Sequence, residues 1–245
     1  MINTLYSEIL KLKKSFFLLI ILVGGLALPG LLFLGWAVQS QGVVIWNEYT
    51  YHSEFMMILV LSPVLFSLIS SYVFSREFTD KTANILYCYP ISRTKIFVCK
   101  LFIIYLIITV VYIIHFLGLF GGGLILKHEL LTKEILLIHF KISLYSMILQ
   151  FSLVPIVIFI ASLSRNILVP VIYGILLVVS NFLLVASGKF KYSPFMMPGM
   201  PLINYNTKSN VEHYFLKSNT IIMAVIVFVI SFIACIIYYK NTDIS

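Results

Sequence analysis

The chain has 245 residues, 61% of them hydrophobic and only 11% charged, with a net charge of +8; its mean hydropathy is +1.05. A soluble domain carries about 25% charged residues, so the composition excludes a soluble globular protein. Nor does the positive balance indicate nucleic acid as a partner, because the basic residues are split among short connectors and do not gather on one domain face.

The placement of charge defines the elements. No Asp, Glu, Lys or Arg occurs in 15–47, 55–75, 101–126, 142–164, 166–188 or 218–239. Each window supplies the ~20 apolar residues with which a helix crosses a ~30 Å hydrocarbon core. Apolar character on all sides excludes the alternating strands of a membrane β-barrel. The sequence therefore predicts an all-α membrane protein, one transmembrane domain over 1–245, with spans near 16–38, 55–75, 97–120, 142–163, 167–187 and 219–239. The first apolar stretch exceeds the ~7–15-residue core of a signal peptide and no small-x-small site follows it, so a cleaved signal is not expected.

Six spans put both termini on one side. With the termini cytoplasmic, the inside holds Lys11, Lys13, Lys14, Arg76, Lys81, Arg93, Lys95, Lys100, Arg165 and Lys240, against seven lysines outside. The inside residues also crowd the span ends, where the positive-inside rule acts, so this orientation is expected. Of the cysteines at 88, 99 and 235, the first two fall on the reducing side and the third within the last span, so no disulfide is expected.

At the N-terminus, Ile2, Leu5, Ile9 and Leu12 share one helical face while Glu8, Lys11 and Lys14 lie elsewhere on the wheel. This predicts a short amphipathic helix over 1–14 along the inner leaflet; a plain basic flank is the alternative. The first external connector, around Gln39 to Glu54, reads as a plain turn. The inner connector from Arg76 to Lys100 carries more information. Asp80 is placed to cap a two-turn helix bearing Ala83, Leu86 and Tyr87, which Pro90 ends. Ser92 is placed to cap the next helix, whose first turns expose Arg93, Lys95 and Lys100. A hairpin needs only a few residues, so these 25 imply a docking surface. The second external connector, Lys127 to Lys141, reads as an interfacial helix with His139 and Lys141 snorkelling at the start of the fourth span. Arg165 and Asn166 form a tight helical hairpin. In the last external connector, 189–217, Pro194, Pro198 and Pro201 forbid one continuous helix and predict short broken segments.

Several chemistries lack their residues. There is no G-x-x-x-x-G-K-[ST] phosphate loop, and Gly121–Gly123 runs into Leu124, Ile125 and Leu126. ATP chemistry is therefore expected on another chain. The histidines at 52, 115, 128, 139 and 213 show no metal spacing, so neither a metal nor a metalloenzyme is expected. Ion-coupled transport leaves a charged residue in mid-membrane, and none falls inside the six windows. The polar residues His115, Gln150 and Asn181 within them are candidates for a substrate path, although interhelical hydrogen bonding is the favoured reading of each.

Arg76-Glu77-Phe78, Lys81-Thr82, Tyr89-Pro90-Ile91-Ser92-Arg93 and Lys100 together resemble a motif of the transmembrane subunits of ABC-2 type exporters. The closest likeness is to the Gram-positive branch of lantibiotic immunity, bacitracin-resistance and phenol-soluble-modulin permeases. Lys81 stands where that family usually has Gly. The resemblance implies a type V exporter-like fold, in which 1–14 is a connecting helix and 76–95 carries a cytoplasmic coupling helix. It implies a half-transporter in the cell membrane, paired with a second copy of itself, that docks a separate ABC ATPase holding ATP and Mg. The motif positions Arg76, Glu77, Asp80, Lys81, Thr82, Leu86, Pro90, Ser92 and Arg93 are then expected to couple to that ATPase. The branch implies amphipathic antimicrobial or cytolytic peptides as cargo. A lipid or small-drug exporter of the same fold, or a membrane sensor or scaffold that transports nothing, are the alternatives.

Overall fold

The structure, a computed structural model, describes residues 2–13, 17–38, 43–79, 92–189, 193–206 and 218–241. Its helices in chain order are α1 (Ile2–Lys13), α2 (Phe17–Val38), α3 (Trp46–Met56), α4 (Ser62–Thr79), α5 (Arg93–Ile125), α6 (Lys133–Ser164), α7 (Leu168–Ala186), α8 (Met200–Asn206) and α9 (Ser218–Asn241). A π-helical turn, Met57–Leu61, joins α3 to α4 without a break, and a 3-10 turn, Pro194–Gly199, leads into α8. Among the described residues the only strand-like pairing is an isolated bridge between Val44 and His128.

Among the described residues six stretches are long and apolar enough to cross a membrane: Leu19–Val38, Trp46–Arg76, Arg93–Ile125, Lys133–Ser164, Leu168–Ala186 and Ser218–Lys240. Of an apolar 18-residue stretch in the second, third and fourth spans, 67%, 61% and 61% of residues are buried, against 22%, 17% and 22% in the first, fifth and sixth. Spans 2, 3 and 4 thus form the core, and each outer span leans on one of them: α2 on α5, α7 on α4 and α9 on α6. Ile69, Phe97, Ile104, Ile108 and Ile158, all inaccessible to solvent, sit where the three core spans meet.

Two stretches differ from the sequence expectation. From Trp46 onward the first connector is helix and not a plain turn. Likewise Lys133–Lys141 is the start of α6, capped by the Thr132 hydroxyl, which accepts the Ile135 amide at 3.4 Å, and not a separate interfacial helix. Charge was a poor boundary marker in both places because a helix can run past the hydrocarbon. At 1.5 Å per residue the 31, 33 and 32 residues of the core spans extend about 46–50 Å. Val44 and Glu129 tie the two connectors together. The Val44 amide donates to the Lys127 carbonyl at 2.8 Å, and the Glu129 amide to the Val44 carbonyl at 3.2 Å. One Glu129 carboxylate oxygen accepts the Trp46 amide at 3.0 Å, which places negative charge at the N-terminus of α3, where the helix dipole favours it.

Prolines inside the spans are compensated by neighbours, as hydrocarbon requires. Pro155 in α6 has no N–H for the Phe151 carbonyl, and the Tyr105 hydroxyl donates to that carbonyl at 3.2 Å. Pro63 leaves the Leu59 carbonyl in the same position, and the Asn181 side-chain amide reaches it at 3.5 Å. The chain reverses between α6 and α7 at Arg165, whose φ of 49° puts it in the left-handed region. Its amide still bonds the Ala161 carbonyl at 3.0 Å.

Gly174 sets how closely α7 approaches α4. A Cβ built there falls 2.6 Å from the Pro63 carbonyl oxygen, a backbone atom with nowhere to go, whereas one on Gly35 meets nothing within 4 Å. Gly174→Val is expected to cost about 1–3 kcal/mol or more through overpacking. Gly35→Ala is expected to be neutral or stabilising by up to about 1 kcal/mol. Unfolding of the two variants in matched detergent micelles measures the contrast; equal stabilities would show that α7 does not sit this close.

Candidate functional site

Three groups of side chains deserve separate description: one at the end of the bundle carrying the termini, one in the middle and one at the far end.

At the terminal end, α1 lies across the starts of α2 and α5. Tyr6, Ile9 and Leu10 face outward, while Glu8 is buried and ion-paired with Lys11. Tyr6, Ile9 and Leu10 thus offer apolar surface away from the bundle, as a helix lying in a membrane interface would. Arg76, in the last turns of α4, donates from Nη1 to the Lys11 carbonyl at 3.0 Å, with its guanidinium over the Tyr72 ring at 5.4 Å. Arg76 therefore ties the amphipathic helix to the start of the connector. Glu77 lies on α4, its side chain outside the described set. Asp80, Lys81, Thr82, Leu86 and Pro90 lie outside the described residues, as does Cys88. Ser92 occupies the N-cap of α5, yet its side chain makes no capping bond. Its carbonyl instead accepts the Lys95 and Ile96 amides at 2.9 and 3.3 Å. Arg93 is half-buried and Lys95 exposed. Lys100, expected to be exposed, is buried: its ammonium donates to the Val73 carbonyl at 3.2 Å and sits 5.4 Å from the Phe74 ring centre. One turn beyond Ile96 the α5 face that carries Lys100 already packs on α4, and the Val73 carbonyl supplies a partner.

In the middle, α4, α6 and α7 enclose a small cavity of about 20 Å³, room for about one water molecule. Ser67, Ser70, Gln150 and Asn181 line it, with Phe66, Tyr173 and Phe195 as apolar walls. Two of the candidates singled out in the sequence, Gln150 and Asn181, thus meet in one place although they sit on different helices. The third, His115, does not join them.

His115 belongs to the far end, where its Nε2 lies 3.0 Å from the Ser53 hydroxyl. Beside it, His139 and Glu54 are buried together: His139 Nδ1 is 3.0 Å from one carboxylate oxygen, and Nε2 is 2.9 Å from the Thr50 hydroxyl. Hydrogen-bond accounting sets the proton count here. Thr50 has one proton and donates it to the Trp46 carbonyl at 2.6 Å, so Nε2 must carry a proton of its own. One further proton lies between Nδ1 and Glu54, and whichever atom holds it, the pair has no net charge. The Tyr205 ring stands edge-on to His139 at 5.8 Å. Burial pushes its phenol above the ordinary value. His139 therefore does not snorkel, and Glu54, just outside the charge-free window 55–75, is buried with it. That residue is 22 positions from Arg76, about 33 Å along the helix, level with the far membrane boundary. A sequence signal existed, since Thr50 and Glu54 are one turn apart on one helical face; reading Gln39 to Glu54 as a turn concealed it.

Among the described residues Cys99 and Cys235 are free and buried, and no three His, Cys, Asp or Glu side chains come together as a metal site.

Comparison with known proteins places these features in context. Residues 4–181 match the family described as ABC-2 family transporter protein. A bacitracin transport permease protein, BCRB, from Bacillus licheniformis is 28% identical over 131 residues, covering 54% of this chain and 63% of that relative. The match thus spans less than two thirds of the relative's length. No solved structure matches the chain.

Proposed function

The chain belongs to the ABC-2 family of transporter proteins, and from that premise we propose that it is the membrane-spanning subunit of an ATP-driven exporter of amphipathic antimicrobial or cytolytic peptides. A separate ABC ATPase subunit, which holds ATP and Mg, supplies the energy, and two copies of this chain pair in the cell membrane with their termini in the cytoplasm. The absence of a phosphate-binding loop from the 245 residues supports a motor on another chain. The bacitracin permease among the relatives supports a peptide cargo.

The observation that carries the coupling reading is the Arg76 bond to α1. ATP-driven closure of the ATPase presses on 76–95 and on the N-terminal helix. Because Arg76 joins those two elements, they move as one body, and the push passes directly into α4 and α5, the centre of the bundle. The outer spans, each resting on one core span, then follow.

The test is to purify the chain from its own cells, identify a co-purifying ABC ATPase, and reconstitute both in nanodiscs. Hydrolysis is then followed against a panel of bacitracin, an amphipathic Leu/Lys peptide, and lipids. Stimulation of about fivefold or more by peptides, equivalent to about 1 kcal/mol of coupling, is the expected result. Stimulation by lipids alone would transfer the chain to lipid export, and the absence of any ATPase partner would leave a scaffold.

A further inference from the structure

The second span, Trp46–Arg76, is held in different ways on the two sides of its π-turn. On the terminal side, Phe66, Ile69 and Phe74 of α4 share the main apolar core with Phe97 and Ile104 of α5, and packing of that kind moves only as a unit. On the far side, polar pairs join α3 to α6 and α8: Thr50 and Glu54 with His139, and Asn47, whose side-chain oxygen accepts the Tyr205 hydroxyl at 3.4 Å. Between the two sides, α-helical bonding is interrupted repeatedly. The Ser62 amide donates to the Met57 carbonyl, five residues back. The Ser62 hydroxyl donates to the Ile58 carbonyl at 3.1 Å, a bond that bends helices. Pro63 offers no N–H to the Leu59 carbonyl, which the Asn181 amide meets at 3.5 Å. π-turns and prolines are where helices kink sharply, and π-turns recur at functional positions. The surroundings also suit a bend. Gly174 lets α7 rest on the Pro63 carbonyl oxygen, which a Cβ would approach to 2.6 Å. The small cavity lined by Ser67, Ser70 and Asn181 has room for a water to meet backbone groups that bending frees, which hydrocarbon could not do.

We propose that α3 is the outer gate of the exporter: it swings about Met57–Pro63 and is latched shut against α6 by the Glu54–His139 pair. A hydrogen-bonded latch at the membrane boundary has two satisfied states. Closed, Thr50, Glu54 and His139 bond one another; open, water or the polar face of an amphipathic peptide takes over those bonds, so the net difference between the states is small. An apolar interface has no such second state. The swing carries the neighbouring connector with it, because the Trp46 amide is bonded to Glu129 and its ring stacks on Phe120 at 5.5 Å. The end of α5 can follow, since Gly121–Gly123 weaken the helix there. Motion of α4, driven from 76–95, reaches α3 through the bend. This inference rests on the export reading and adds to it where the cargo leaves, between α3 and the outer end of α6, and what closes that exit.

The experiment measures distances between spin labels on the full chain in nanodiscs, labelled chains being diluted in unlabelled ones. Labels are placed through Glu48→Cys on α3 and Leu137→Cys on α6, both exposed, with Cys88→Ser; Cys99 and Cys235 are buried. Leu137→Cys with Ile222→Cys, which joins α6 to α9, is the control pair. Glu48 is nine residues from Met57, about 13 Å along the helix, so a swing of about 20° moves it about 5 Å. The latched chain is expected to give one narrow 48–137 distance. Glu54→Ala is expected to add a population shifted by about 5 Å, with the control pair unchanged, and Pro63→Ala, which restores the amide to Leu59, is expected to suppress it. Should Glu54→Ala disturb the control pair, Thr50→Val, which cuts one bond of the latch, is read in its place. A single distance in the latch variant, or an equal shift in both pairs, overturns the hinge and leaves the export reading standing. With the co-purified ATPase trapped by ADP and vanadate, the unaltered chain is expected to show the same second population. Its absence while peptides still stimulate hydrolysis overturns the gate alone, and the lack of an ATPase partner overturns the export reading together with the gate.

Discussion

Replacing His139 with Ala is expected to destabilise the protein by about 3–5 kcal/mol, the cost of leaving one member of a buried ionisable pair without its partner. Glu54 is 6% exposed and His139 wholly buried, so water cannot take the place of the missing imidazole. Glu54→Gln retains a hydrogen-bonding group and is expected to cost less. Glu54→Leu/His139→Leu, which removes the pair altogether, is expected to recover most of the loss, as apolar replacements of buried pairs do elsewhere. Titrating the four proteins with denaturing detergent in mixed micelles measures these differences. A His139→Ala cost below about 1 kcal/mol, the range of an exposed pair, would show that water reaches the site. The effect should be concentrated at the far end, because α3, α6 and α8 meet there through Thr50, His139 and Tyr205.

Arg76→Ala is expected to lower peptide-stimulated hydrolysis by about tenfold or more while leaving membrane insertion and ATPase binding intact. The bond to the Lys11 carbonyl is charge-assisted, and such bonds are worth about 1.5–3 kcal/mol, which is about tenfold in an equilibrium. With the tie cut, α1 and the connector respond separately to the motor. Arg76→Lys keeps the charge but not the planar fork that reaches a carbonyl while lying over Tyr72, so it is expected to restore little. Glu77→Ala/Arg93→Ala tests the same connector on either side of 80–91 and is expected to uncouple as well. Full stimulation in both proteins would remove 76–95 from the coupling route. Reduced co-purification of the ATPase, in contrast, would make these residues docking contacts rather than transmitters.

How far the sequence could be read depended on which physical effect held each side chain. Windows without charge located the apolar helices because a bare charge in hydrocarbon is costly. That rule assumes a charge next to a window is solvated, and it misjudged burial where a partner stood in for water. Glu54 is met by His139, and Lys100 by the Val73 carbonyl and the Phe74 ring, so both are buried although each lies just outside a charge-free window. Proline signalled correctly in the segment after α7, where Pro194–Gly199 and Met200–Asn206 are short separate turns, since a missing N–H and a fixed φ act locally. Thr132 caps α6 through its hydroxyl although the sequence reading did not single it out, whereas Ser92 holds the cap position without its side chain taking part.

By itself the sequence determined that this is an all-helical protein of six membrane-crossing stretches and that it resembles an ABC-2 permease. Those properties follow from local composition, helix length and a short motif, none of which requires knowing what packs on what. Only the tertiary structure decided that Gln150 and Asn181 share a cavity while His115 stands apart, that Arg76 joins the N-terminal helix to α4, and that Glu54 and His139 form a neutral pair. Each of those depends on partners 31 to 85 residues apart along the chain, and no periodicity records which faces of two helices come together.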